Sequence, residues 1–107
     1  EPTEYVDAVG RRVAPEQIDL VGRLFSMGKM IHAYMGTGAI CTVVAANIPR
    51  TVVNQVVRPR CGDRVTELRI GHPFGIMTVA ARLDESGVKS CTIARTARRI
   101  MEGWVYV

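Results

Sequence analysis

The sequence predicts an α+β fold in which a curved, mainly antiparallel sheet wraps around one central buried helix. Three observations lead there. Ala39 to Ala46 runs without a charge, so a helix in that stretch has no polar face and calls for cover on every side. From Arg50 onward the apolar period changes from helical to two, the mark of strands. The chain has 107 residues, 48% of them hydrophobic, which suits one domain over residues 1–107 and leaves no length for a second core.

The elements follow in chain order. Ala14-Pro15-Glu16-Gln17 places proline at a first helical position with an acid in the first turn, a helix start. Ile18, Val21, Phe25 and Gly28 recur at helical spacing and predict an amphipathic helix of about 15 residues. Gly36-Thr37-Gly38 interrupts that pattern, the buried helix follows, and Ile48-Pro49 ends it because the residue before proline disfavours helix. Cys41, inside the buried helix, is expected to be a small core residue. Thr51 to Val57 is rich in valine and reads as a strand, as do Val65 to Ile70 and Ile76 to Leu83, the last with Met77, Val79, Ala81 and Leu83 on one face. Asp84-Glu85-Ser86-Gly87 is a turn. Val88 to Arg95 returns as the second strand of a hairpin with Cys91 and Ile93 inward, and Trp104 to Val107 reads as a short terminal strand.

Composition narrows the function classes. Fourteen Lys and Arg against ten Asp and Glu give a formal charge of +4, a modest excess. The aromatic residues are 6% of the chain and scattered, not interleaved with cations as a nucleic-acid surface requires. No nucleic-acid partner is expected. No run of about 18 uncharged apolar residues occurs and the acidic start, EPTEYVD, is no signal peptide, so the expectation is a cytoplasmic protein without a membrane partner. Cys41, Cys61 and Cys91 are odd in number and lack a C-x-x-C pair, and His32 and His72 fall on separate elements. Neither a disulfide framework nor a metal site follows.

Two loops carry candidate chemistry. In Gly36-Thr37-Gly38-Ala39-Ile40 the glycines permit close approach to the backbone. The free amides of Gly38, Ala39 and Ile40, at a helix N-terminus, suit a carboxylate or phosphate. The competing reading is a small-residue loop that lets two helices pack closely. Gly71-His72-Pro73-Phe74-Gly75 joins two strands too tightly for an ordinary hairpin loop. His72 there is a candidate acid or donor against a structural histidine, and Phe74 is expected to be packed. Arg95, Arg98 and Arg99 either draw an anion toward a cleft or protect a strand edge.

These residues carry a resemblance. Ser26-Met27-Gly28-Lys29-Met30, Gly36-Thr37-Gly38-Ala39-Ile40, Gly71-His72-Pro73-Phe74-Gly75 and Thr96-Ala97-Arg98-Arg99-Ile100-Met101-Glu102-Gly103 occur in this order. Together they resemble the C-terminal part of the family of 2-methylaconitate cis-trans isomerases, methylitaconate isomerases and 4-oxalomesaconate tautomerases. The resemblance implies one lobe of a diaminopimelate-epimerase-like fold, in which two lobes flank a cleft. It also implies an unsaturated di- or tricarboxylate held by helix N-termini, proton transfer at carbon that moves or isomerises a double bond, and no cofactor. Family members usually carry Ser at the place of Phe74 and often His at that of Ile31, and the related epimerases have a catalytic Cys where Met35 stands. By resemblance, Gly36, Thr37, Gly38, Ala39 and Ile40 grip a carboxylate, and Gly71, His72 and Gly75 form the facing wall. Lys29 and His72 are the candidates for proton transfer or charge pairing. The partners implied are a small polycarboxylate and either a second copy or the first lobe of the family chain. The alternative is a stand-alone, non-catalytic carboxylate-binding or assembly module.

Overall fold

A computed structural model describes residues 1–107. Its main sheet has four strands in the order β3-β6-β7-β8: β3 (Leu20–Val21), β6 (Glu67–His72), β7 (Gly75–Asp84) and β8 (Gly87–Ile93). β6, β7 and β8 form an antiparallel meander, and β3 joins β6 in parallel with Leu20 opposite Ile70. Two small antiparallel ribbons accompany it, β1 (Tyr5–Val6) with β2 (Arg12–Val13) and β4 (Leu24–Ser26) with β5 (Lys29–Ile31). Helices α1 (Gly36–Ala46) and α2 (Val52–Cys61) pack together, and α1 lies against β7 and β8. The chain is thus α+β with a mainly antiparallel sheet. No helix is long and apolar enough to cross a membrane.

The core forms where these layers meet. Ala39, Val43 and Ala46 of α1 and Val57 of α2 lose all contact with solvent, as do Leu68, Ile70 and Val79 of the sheet. Burying side chains of this size is worth about 1.5–3 kcal/mol each for the larger ones. The strand period is visible in β7, where Met77, Val79, Ala81 and Leu83 all face the core cluster. Asn47, the C-cap of α1, clasps the next layer: its Nδ2 donates to the carbonyls of Val43 and Val65 at 2.9 Å and its Oδ1 accepts from the Val65 amide at 2.8 Å.

Five expectations are corrected. The segment from Pro15 to Gly28 is not a helix: a 3₁₀ turn over Pro15–Gln17 gives way to β3 and β4. Ile18 is buried but Phe25 is 70% exposed, so the helical spacing was coincidental. Pairing with β6 prevails, through Asp19 N–H to the Arg69 carbonyl at 2.8 Å and Gly22 N–H to the Gly71 carbonyl at 2.9 Å. Thr51 to Val57 is no strand but the start of α2, because the Thr51 side chain caps it by accepting from the Asn54 amide at 3.1 Å. Trp104 to Val107 forms no strand and is exposed. Finally, the sheet covers α1 from one side and does not close around it. Cys41 is exposed and not a core residue.

Candidate functional site at the start of α1

Met35 is the N-cap of α1, with extended backbone and no side-chain cap, so the helix begins at Gly36. The Ala39 amide already donates to the Met35 carbonyl at 2.9 Å. The unused donors are therefore the amides of Gly36, Thr37 and Gly38, two residues earlier than the expected set of Gly38, Ala39 and Ile40. The positive end of the helix dipole falls at the same place.

The two glycines have packing reasons of their own. A Cβ on Gly38 would sit 2.7 Å from Cδ1 of Leu24, and one on Gly36 2.6 Å from Cδ1 of Ile93. Close packing and free amides thus coexist in one turn, with the side-chain direction sealed and the backbone donors left over.

A cleft of about 550 Å³ opens beside this turn. Gly36, Thr37 and Ile40 of α1 line it with the preceding Ala33, Tyr34 and Met35, and Met77, Ile93 and Arg95 close the sheet side. Its lining holds one formal charge, that of Arg95, and no carboxylate. Arg95 makes no ion pair. The field in the cleft is positive from both directions, beside an apolar wall of Ile40, Met77 and Ile93.

Tyr34 anchors the turn. Its hydroxyl lies 2.8 Å from Thr42 Oγ1, and Thr42 Oγ1 donates to the Gly38 carbonyl at 2.7 Å. Having one proton, Thr42 must accept from Tyr34. The Tyr34 ring fits because position 22 is glycine: a Cβ there would lie 2.6 Å from Cε2 of the ring. Sequence reasoning missed this device, and its signal was Thr42, the lone hydroxyl in the uncharged run Ala39 to Ala46, which needs a local acceptor.

The remaining expected residues lie elsewhere. Ala39 is wholly buried in the core. Lys29 is exposed on the β4–β5 hairpin next to its turn, where Met27 and Gly28 both have positive φ, of 51° and 74°. Gly71, His72 and Gly75 belong to the β6–β7 hairpin, whose turn is the two residues Pro73 and Phe74, neither of them at the positive φ of the favoured two-residue hairpin turns, with Gly75 after them at φ 130°. Gly71 lets the Tyr5 ring and Ile18 approach to within about 3.0 Å of its Cβ position, while the Tyr5 hydroxyl donates to the carbonyls of His72 and Gly75.

His72 is 9% exposed. Its Nδ1 accepts from the Phe74 amide at 3.2 Å, which assigns the proton to Nε2. Burial holds its pKa below the usual histidine value, against a hydrogen bond with the His32 backbone that pushes it up. The ring is therefore neutral. Phe74 is 48% exposed, its ring edge-on to His32 at 6.1 Å, so it is only partly packed. A second cleft, of about 380 Å³, lies beside Phe74 and Gly75. Its arginines are committed, Arg11 to Asp7 and Arg12 to Glu4.

A family model described as PrpF protein matches residues 1–107. The chain belongs to the PrpF family. This PrpF chain is 45% identical over 108 residues to 3-methylitaconate isomerase of Eubacterium barkeri, covering 100% of this chain and 28% of the relative. It is 42% identical over 108 residues to 2-methyl-aconitate isomerase of Cupriavidus necator, covering 97% and 26%. A likeness to 4-oxalomesaconate tautomerase of Pseudomonas putida extends over 77 residues at 34% identity, covering 71% and 21%. Among solved structures, the crystal structure of methylitaconate-delta-isomerase superposes with a TM-score of 0.80 at 44% identity, over 98% of this chain and 27% of that one. The chain spans about a quarter of the length of these PrpF-family relatives.

Proposed function

We propose that this chain is the carboxylate-binding part of an isomerase acting on an unsaturated di- or tricarboxylate, resembling the C-terminal lobe of the family enzymes. The observation that carries the reading is the set of unused amides of Gly36, Thr37 and Gly38 at the start of α1, where Gly36 and Thr37 line a cleft whose one charge is positive. Backbone donors at a helix start hold a carboxylate without protonating it. The apolar wall beside them suits the carbon skeleton of an unsaturated acid. The names of the PrpF relatives, all isomerases or tautomerases among those quoted above, support this substrate class.

The chain's share in the reaction is holding. Moving a double bond by proton transfer needs a positioned base or acid within hydrogen-bond reach. The cleft lining offers no Lys, His, Asp, Glu or Cys, the Tyr34 hydroxyl is committed to Thr42, and His72 lies outside that lining with its Nδ1 lone pair taken by the Phe74 amide. Gly71, His72 and Gly75 contribute a rigid hairpin behind Tyr34, whose ring lies 6.3 Å from that of His72. The same lack of a base supports the second reading, a non-catalytic carboxylate-binding module.

The test is titration of the 107-residue chain with trans-aconitate, followed by amide NMR. The resonances of Gly36, Thr37 and Gly38 should move first, with an affinity on the order of millimolar. If saturating ligand leaves those three unmoved in a folded chain, the carboxylate assignment fails. Turnover of aconitate or methylitaconate by the chain alone would overturn the holding role.

A further inference from the structure

The segment that leads from β5 into α1 is tied down by side chains. Residues 32–34 make no backbone–backbone hydrogen bond. They are held instead by the Tyr34 hydroxyl on Thr42, by the His32 ring edge-on to Phe74 at 6.1 Å, and by the His32 carbonyl, which accepts from the His72 ring. His72 spends its other nitrogen on the opposite side, where Nδ1 accepts from the Phe74 amide at 3.2 Å. One buried imidazole thus joins the β6–β7 turn to the lead-in of α1, and its ring also lies 6.3 Å from that of Tyr34. The turn has supports of its own on the other side. The Tyr5 hydroxyl donates to the carbonyls of His72 and Gly75, and the Ala8 amide donates to the Pro73 carbonyl at 2.6 Å.

The bond to Phe74 needs a neutral ring, because Nδ1 accepts only while it carries no proton. A proton there would face the Phe74 N–H, donor against donor. The imidazolium would also sit at a place that is 9% exposed, and burying an unpaired cation is costly. The charged groups on the surrounding elements give it no partner. Arg23 bears on the ring with a like charge, Arg95 is a second cation in the cleft lining that Tyr34 shares, and Lys29 of β5 is exposed beside its own hairpin turn. Arg11 reaches the Phe74 carbonyl, and Asp7 is already paired with it. Tyr5 and Tyr34 are committed through their hydroxyls. We infer that neutral His72 is a latch between the β6–β7 turn and the lead-in of α1, and that protonation turns the ring out to water, gives up the His32 carbonyl and frees residues 32–34. The start of α1 is thereby made sensitive to pH, since Tyr34 is linked through Thr42 to the Gly38 carbonyl. The latch stands whether or not the cleft binds a carboxylate.

The experiment follows the 107-residue chain by NMR from about pH 8 to about pH 5. It reads the His72 ring nitrogens, the amides of Phe74, Ala33 and Tyr34, and those of Val79 and Ala81 as core references. In the wild type the Phe74, Ala33 and Tyr34 amides should titrate together with the His72 ring, with one midpoint on the acid side of about 6.5, while the core amides stay in place. His32→Gln should keep this transition. His72→Asn should abolish it, because its side-chain carbonyl can accept from the amide two residues on and takes up no proton. Lead-in amides that still titrate in H72N, or stop titrating in H32Q, would assign the effect to His32 and overturn the latch. So would a wild-type His72 ring that titrates without moving them, or one that stays neutral until the core amides are lost. Should H72N fail to fold, the wild type and H32Q decide the matter by these same comparisons.

Discussion

Single side chains decide how this molecule meets acid. Asp19 is 5% exposed, and Arg69 meets it twice: Nη2 at 2.7 Å from Oδ1 and Nε at 3.1 Å from Oδ2, with the Arg69 amide donating at 2.8 Å. Burial by itself would raise the Asp19 pKa, but the hydrogen bonds and charge of Arg69 outweigh it and hold the carboxyl below the usual range. A depressed carboxylate contributes stability that is present above its unfolded pKa, about 3.9, and lost as pH falls through the folded value. D19N should therefore cost about 2 kcal/mol at neutral pH, and the loss should fade below pH ~4 in urea titrations. His72 has the opposite chemistry and an earlier window. Its folded pKa lies below the unfolded value of about 6.5, so between the two the unfolded chain binds more protons and stability rises with pH. Stability should fall as pH drops below about 6.5, and H72Q should flatten that slope. A slope that survives in H72Q would assign it to another group.

Helix and strand identity here turns on caps and cross-strand partners more than on periodicity. The meander β6-β7-β8 was legible because alternation, a Pro-containing turn and the Asp84–Gly87 turn agree on it, and Asp84 Oδ1 accepts from both the amide and the hydroxyl of Ser86. The body of α1 was legible for the same reason of agreement, though its start, and so the identity of its free amides, was not. Nothing local announces that Met35 is the cap. The valines of α2 hid a helix because β-branched residues lean toward strands, and only Thr51 before it and Gly62 after it, at φ +76°, mark its ends. Segment 15–28 was misread because β3 exists only by leaning on a strand some 50 residues later, a fact no short window contains. At this scale T51A should cost about 1 kcal/mol, since the Thr51 hydroxyl also reaches the Ala45 carbonyl at 2.6 Å. N47A should cost about 1–3 kcal/mol by leaving Val65 groups unpaired. Thermal melts of both variants measure this, and a neutral N47A would mean that water replaces the clasp without loss.

The whole molecule is larger than its core. Its radius of gyration is 16.2 Å, against about 13 Å for a compact chain of this length, and the exposed stretch after β8 accounts for the difference in character. Ile100, Met101, Trp104, Val105, Tyr106 and Val107 are all more than four-fifths exposed. Apolar surface of this kind drives association, so the chain should self-associate at high micromolar concentration and do so less when residues 96–107 are removed. Light scattering showing the same strict monomer for both would refute it. The long-range ties of the amino-terminal segment have a further effect, on the order of assembly. Tyr5 reaches Gly75, Arg60 reaches Pro15, and Asp19 reaches Arg69, each contact closing a loop of several tens of residues. The meander β6-β7-β8 and the α1–α2 pair close only short loops. Loop-closure entropy therefore delays the amino-terminal ties until the rest can reward them. The rate-limiting step of folding should be crossed with the meander formed and β3 still free. D19N should then mainly speed unfolding and leave the folding rate nearly unchanged, whereas V79A should slow folding. The residues that join the fold last are also the first to let go.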